Sequence, residues 1–216
     1  MFSIRSASLE DLPSILRVEN SWPEEARAGA DKFLARLETF PQGVFLACNS
    51  ASNEDVVATI TAMPTQYQAD DISHFNNWDQ VTGNGYLKPF HLEACNSLYI
   101  VSGVIDQRYR GQDIFAPMVL REVALAQQLG LRYILAGAVL PGYAKHCLKK
   151  GECSAHDYCS SRRGRHLLDP LLSLYEALHF RVPDARHVIP EYFPDDASRN
   201  YAGLVVRDMH SHPLLN

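Results

Sequence analysis

The chain has no apolar run long enough to cross a bilayer, no internal repeat and no low-complexity tract. Its five cysteines, Cys48, Cys95, Cys147, Cys153 and Cys159, are an odd number without regular spacing, which excludes a secreted disulfide framework. It has no excess of basic charge: the formal net charge is -5, so no global attraction to nucleic acid is expected. The opening residues, MFSIRSASLEDL, lack the charged-then-apolar pattern of a signal peptide, and a reducing, cytoplasmic location is the expectation. His146, Cys147, Cys153, His156 and Cys159 lie close together, but none forms a C-x-x-C pair, so no metal site is expected. What remains is a globular composition of 216 residues, 46% hydrophobic and 21% charged, enough for one large core.

The chain alternates strand-like and helix-like segments. Phe2–Arg5 reads as a strand. Ser8 is placed to cap a helix carrying Leu12, Ile15, Leu16 and Val18, with Pro13 delaying or bending its start. A second helix is expected over Pro23–Glu38. Gly43–Cys48 and Asp55–Met63, separated by the turn cluster Asn49–Glu54, read as an antiparallel hairpin. Gln66–Ala94 has weak periodicity and is expected to hold a short helix or a lid, a loop insertion at about 66–95. Ser97–Ile105 is the strongest strand; Ile114–Leu129 is an amphipathic helix closed by Gly130, and Arg132–Ala138 is a further strand. A short helix is expected over Ser154–Arg163, another from Asp169-Pro170 to about Leu178, and closing strands at Arg186–Ile189 and Gly203–Arg207. One α/β domain of mixed sheet and flanking helices accommodates all of these over residues 1–216.

Between the strongest strand and its following helix stands Arg110-Gly111-Gln112-Asp113-Ile114-Phe115. Further on come Leu140-Pro141-Gly142-Tyr143, Asp169-Pro170, Leu174-Tyr175-Glu176-Ala177-Leu178-His179-Phe180, Val188-Ile189-Pro190-Glu191-Tyr192 and Asn200-Tyr201-Ala202-Gly203. In this order the segments resemble the GNAT acyltransferase superfamily, in particular a long subgroup with "PGY" and "LYExxxF" segments. The resemblance implies a central mixed, mostly antiparallel sheet flanked by helices on both faces. It also implies acetyl-CoA or another acyl-CoA as co-substrate, without a metal, and direct acyl transfer to a small-molecule or peptide amine.

The physics of the turn agrees, because free amides at a helix N-terminus receive a pyrophosphate. By the resemblance, Arg110, Gly111, Gln112, Asp113, Ile114 and Phe115 bind the cofactor phosphates, and the backbone near Val104 and Ile105 polarises the thioester carbonyl. Asp113 stands where the family has its first motif glycine, and is expected to adopt the left-handed backbone in its place. Phe115 replaces a small residue, and His179 a glycine. Tyr175 is the candidate general acid and His146 the candidate base, with Glu19 and Glu191 behind it. Trp22 and Tyr143 are candidate substrate contacts. An alternative keeps the fold and changes the acceptor: GNAT-like domains that load polyketide synthases transfer acyl groups to a carrier thiol and can decarboxylate malonyl groups. A second alternative is a catalytically weak acyl-CoA sensor. No nucleic acid or membrane partner is expected, and the oligomeric state is left open, a homodimer included.

Overall fold

The structure is a computed structural model that describes residues 2–51 and 55–214. In chain order the strands are β1 (Phe2–Ser6), β2 (Val44–Asn49), β3 (Asp55–Thr65), β4 (Ser97–Ile105), β5 (Tyr133–Val139), β6 (Arg162–Arg163), β7 (His166–Leu167), β8 (Val188–Ile189) and β9 (Ala202–Asp208). The helices are α1 (Leu12–Glu19), α2 (Ala30–Thr39), α3 (Trp78–Thr82), α4 (Phe115–Gln128), α5 (Tyr143–Lys150), α6 (Ala155–Ser160) and α7 (Pro170–Ala177). The main sheet has the order β1-β2-β3-β4-β5-β9-β8, and only β4 and β5 run parallel. The mixed, mostly antiparallel sheet expected from the sequence is therefore present.

Strand periodicity explains the layering. Along β2, Phe45 and Ala47 join the hydrophobic cluster that contains Met118, Val119 and Val123 of α4. Leu46 and Cys48, one residue out of phase, join Ile15 and Val18 of α1 and Phe33 of α2. Successive side chains of a strand point to opposite faces, so α4 covers one face and α1 with α2 the other. Strands buried on both faces read as continuous apolar runs, which is why β2 shows little alternation in sequence, whereas β3 alternates Thr59 and Thr61 with Ala58, Ile60 and Ala62.

Four segments differ from expectation. The closing strand expected over Arg186–Ile189 is reduced to Val188–Ile189, because the Asp184 side chain accepts from the Arg186 amide and caps a 3-10 turn over Ala185–His187. The second helix begins at Ala30, not Pro23: the Glu19 carboxylate accepts from the Ala28 amide at 3.0 Å and holds the backbone extended through Gly29. The helix expected over Ser154–Arg163 ends at Ser160, where the Ser160 and Ser161 hydroxyls turn back to the Asp157 carbonyl and a two-stranded hairpin, β6–β7, follows through Gly164 at φ +62°. The "PGY" segment opens α5, a helix the sequence reading did not include. The start of α1 is delayed to Leu12, with Pro13 in its first turn and Asp11 reaching back to the Ser8 amide. The Gln66–Ala94 segment holds α3 and buries Tyr67, Phe75, Val81 and Leu87, so it is a packed cover. Of the expected turn Asn49–Glu54, residues 52–54 lie outside the described residues. Among the described residues no helix is long and apolar enough to cross a membrane.

Candidate active site

The site arises from how β4 and β5 part. Their parallel ladder runs from Ser97↔Tyr133 to Ile100↔Ala136 and stops. On its other side β4 pairs with β3, but the register shifts between Thr61 and Ala62, so Val101 is left as an extra residue. A bulge of this kind bends and twists its strand, and here it coincides with the point of divergence. Beyond it, Val101–Val104 and Ala136–Val139 form opposite walls of a cavity of about 530 Å³. With no neighbour across the gap, backbone polar groups on these edges are available to an extended ligand. One is already used: the Trp78 indole donates to the Val101 carbonyl at 2.7 Å.

Two glycines allow aromatic rings to close the walls. A Cβ on Gly103 would stand 2.7 Å from the Phe115 ring, and one on Gly137 would stand 2.1 Å from the Tyr192 hydroxyl. Phe115 thus lies on Gly103 at the start of α4 and meets Tyr175 edge to face, ring centroids 6.1 Å apart. Tyr192 reaches across Gly137 to the Tyr99 hydroxyl, with which it shares a hydrogen bond.

Tyr175, near the end of α7, is buried and lines the cavity. Its hydroxyl has no hydrogen-bond partner among the described residues and is not sealed away from the cavity. Burial pushes its pKa well above the ordinary phenol value, so it carries its proton at every physiological pH. Glu19 closes α1 and is also at the wall. One of its oxygens holds the Ala28 amide and the side chain faces the Thr59 hydroxyl; burial raises its pKa, which the Ala28 hydrogen bond and the Arg36 charge oppose. Trp22 lines the cavity from the loop between α1 and α2. Arg110 fixes that loop, donating to the Ser21 carbonyl at 2.8 Å, while the Gln107 amide donates to the Ser21 hydroxyl at 3.0 Å.

Of the residues singled out in the sequence, the cavity brings together Trp22, Val104, Phe115 and Tyr175, with Glu19. Ile105, Arg110, Gly111, Gln112, Asp113 and Ile114 lie in or beside the turn at its end and do not line it. In that turn the left-handed conformation belongs to Gly111, at φ +81°; Asp113 is not in it, contrary to expectation, because the glycine two residues earlier already makes the bend. His179 does take the left-handed conformation, at φ 63°, in the place of the expected glycine. His146 lies on α5 against the Tyr158 ring, centroids 5.3 Å apart, away from the cavity. Tyr143 gives its hydroxyl to the Cys153 carbonyl at 2.7 Å and also lies outside. Glu191 is exposed and accepts from Asn200 at 3.1 Å. Among the described residues no group of three or more His, Cys, Asp or Glu side chains is placed to hold a metal ion.

Arg36, Trp78 and Tyr192 line the same cavity and were missed in the sequence. For Arg36 the signal was there: it stands three residues after Phe33 and one before Leu37, on the apolar face of an amphipathic helix.

A seven-stranded sheet with a bulge at the parting of its one parallel pair, helices on both faces and a cavity in the parting is the GNAT fold. Comparison with solved structures agrees over nearly the whole chain. The chain is similar to the loading GNATL domain of CurA from Lyngbya majuscula, at 17% identity and a TM-score of 0.78, covering 98% of this chain and 100% of that one. It is similar to the GphF GNAT-like decarboxylase, solved in complex with isobutyryl-CoA, at 20% identity and a TM-score of 0.78, covering 96% and 99%. The ribosomal-protein-S18-alanine N-acetyltransferase from Escherichia coli matches at 13% identity and a TM-score of 0.55, covering 100% of both. No protein-family model and no curated protein matches the sequence.

Proposed function

We propose that the chain is an acyl-CoA-dependent acyltransferase working by direct transfer. The observation that carries this reading is the Tyr175 hydroxyl, protonated and without a protein partner, at the wall of a cavity opened by the parting of β4 and β5. The cavity fits an acyl thioester: its walls are largely apolar, two strand edges supply amides, and the α4 turn at one end presents first-turn amides that suit phosphates. Arg110 stands at that turn with part of its guanidinium committed to the Ser21 carbonyl.

In this reading β4 amides beside Val104 polarise the thioester carbonyl. The acceptor forms its new bond to the carbonyl carbon, the carbon–sulfur bond breaks, and Tyr175 gives its proton to the departing sulfur. The proton lost by the acceptor leaves through Glu19, the carboxylate at the cavity wall, whose burial raises its pKa and so its affinity for a proton.

Two acceptors remain in play. An amine is the general case for the fold. A carrier-protein thiol, with acyl loading or decarboxylation, is supported by the closer likeness to the loading domain and the decarboxylase, with TM-scores of 0.78 against 0.55 for the S18-alanine enzyme. Calorimetric titration of the purified protein with acetyl-CoA, malonyl-CoA and free CoA tests the shared part. Micromolar binding, about -8 kcal/mol, is expected, and tighter binding of malonyl-CoA favours the second acceptor. No binding of any of the three overturns the CoA-dependent reading.

A further inference from the structure

Arg36 is the unusual side chain of this cavity. Its residue is 1% exposed, and its Cζ lies 4.6 Å from the centre of the Phe33 ring. Its protein partners are all uncharged: Nε donates to the Gly85 carbonyl at 2.8 Å, and Nη1 to the Ser102 hydroxyl at 3.2 Å and the Thr61 hydroxyl at 3.5 Å. Among the described residues no carboxylate comes within ion-pair distance of it. Nη2 has no hydrogen-bond partner among the described residues, yet it is not among the polar atoms sealed from solvent, so its open side is the cavity.

A buried cation with no counter-ion is costly, and native proteins pair such groups or use them. Burial lowers the Arg36 pKa only to about 10, with Glu19 opposing the shift, so the guanidinium stays charged at neutral pH. Arg36 and Glu19 are the buried ionisable groups of the cavity lining; its other charged residues, Glu25, Arg27, Lys32 and Asp79, are exposed or half-buried. The phosphates of CoA belong at the α4 turn by the reading above; Arg36, on α2 beside Ser102, faces the reacting end. A planar guanidinium with an unfilled donor suits a carboxylate.

We propose that Arg36 is the anchor for a carboxylate carried by the reactant that fills this cavity. The proposal rests on the acyl-CoA reading. The carboxylate has two sources, the far end of the acyl group or the acceptor molecule, and both present the same chemistry to Arg36. The seat around it is prepared from three directions: α2 supplies the guanidinium, the Gly85 carbonyl of the cover segment and the Ser102 hydroxyl hold it in place, and apolar residues such as Ile100 and Ala136 line the same cavity.

The test compares each carboxylate with a neutral molecule of the same shape. In the acyl arm, malonyl-CoA is titrated against acetoacetyl-CoA, with acetyl-CoA as reference. In the acceptor arm, the standard amino acids are titrated against their amides with the protein saturated by CoA. The carboxylate member of one arm is expected to bind roughly 10- to 100-fold tighter than its neutral counterpart. In Arg36→Met that preference disappears. The wild-type comparison needs no variant, so a folding defect in Arg36→Met leaves the test standing. Equal binding of carboxylate and neutral ligands in both arms, with acetyl-CoA still bound, overturns the Arg36 proposal and leaves the acyltransferase reading intact. Failure of every CoA thioester to bind overturns both, and the acetyl-CoA reference tells the two failures apart.

Discussion

Asp169 and Arg36 are both charged and both buried, and they differ in how far their hydrogen-bonding capacity is filled. Asp169 caps α7 and accepts four hydrogen bonds: from the amides of Leu171 at 3.0 Å, Leu172 at 3.2 Å and Gly142 at 3.2 Å, and from the Tyr158 hydroxyl at 3.1 Å. Gly142 approaches so closely that a Cβ there would stand 2.3 Å from that hydroxyl. This cluster ties the "PGY" turn, α6 and α7 together and opens onto no ligand space. Arg36, with an unfilled donor, and Tyr175, with an unfilled hydroxyl, face the cavity. Satisfied buried polar groups hold a fold; unsatisfied ones that look into a cavity await a partner.

The contrast can be broken from either side. The largest expected effect is on the satisfied cluster. Asp169→Ala leaves three amides and a hydroxyl without their acceptor and is expected to destabilise the fold by roughly 3 kcal/mol or more. Urea denaturation measures this, and a loss below about 1 kcal/mol would show that the cluster is not structural. Gly137→Ala strikes the cavity wall instead. Its Cβ displaces Tyr192, with an expected cost of about 2 kcal/mol and loss of acyl-CoA binding beyond what unfolding explains. Unchanged binding would mean that Tyr192 does not shape the site.

Glu122 sharpens the comparison, being buried and unsatisfied but remote from the cavity. Burial raises its pKa well above the ordinary value, so the folded state holds a proton that the unfolded state has lost. Its contribution therefore destabilises progressively as pH rises above the ordinary carboxylate range. Glu122→Gln is expected to stabilise the protein at pH 7 by about 1 kcal/mol or more and to gain nothing near pH 4. Thermal melts across that range check it; a gain independent of pH would contradict the assignment.

Much of the fold was legible because local signals agreed. The apolar run of β4, the amphipathic pattern of α4 closed by Gly130 and the Asp169-Pro170 start of α7 each have one economical reading. Family segments singled out Tyr175 and Trp22, and the structure places both in the cavity lining. The site was not legible where long-range geometry decides. Trp78 sits in a segment of weak periodicity, yet the fold brings its indole to the Val101 carbonyl. Arg36 carries a spacing signal, on the apolar face with Phe33 and Leu37, but only the packing shows that this side chain lines a cavity. His146 follows the "PGY" turn closely in sequence, but that turn opens α5, whose course sets His146 against Tyr158. Short range in the chain gave no guide to distance across the sheet.

The unfilled Tyr175 hydroxyl is proposed to serve chemistry and not structure. The direct test of that role is thiol release from acyl-CoA by Tyr175→Phe, with an acceptor that the unmodified protein turns over and with stability measured alongside. Turnover is expected to fall about a hundredfold or more, with stability unchanged within about 1 kcal/mol and acyl-CoA affinity retained. Full turnover in the variant would contradict that role, and would leave Tyr175 as part of the cavity wall alone.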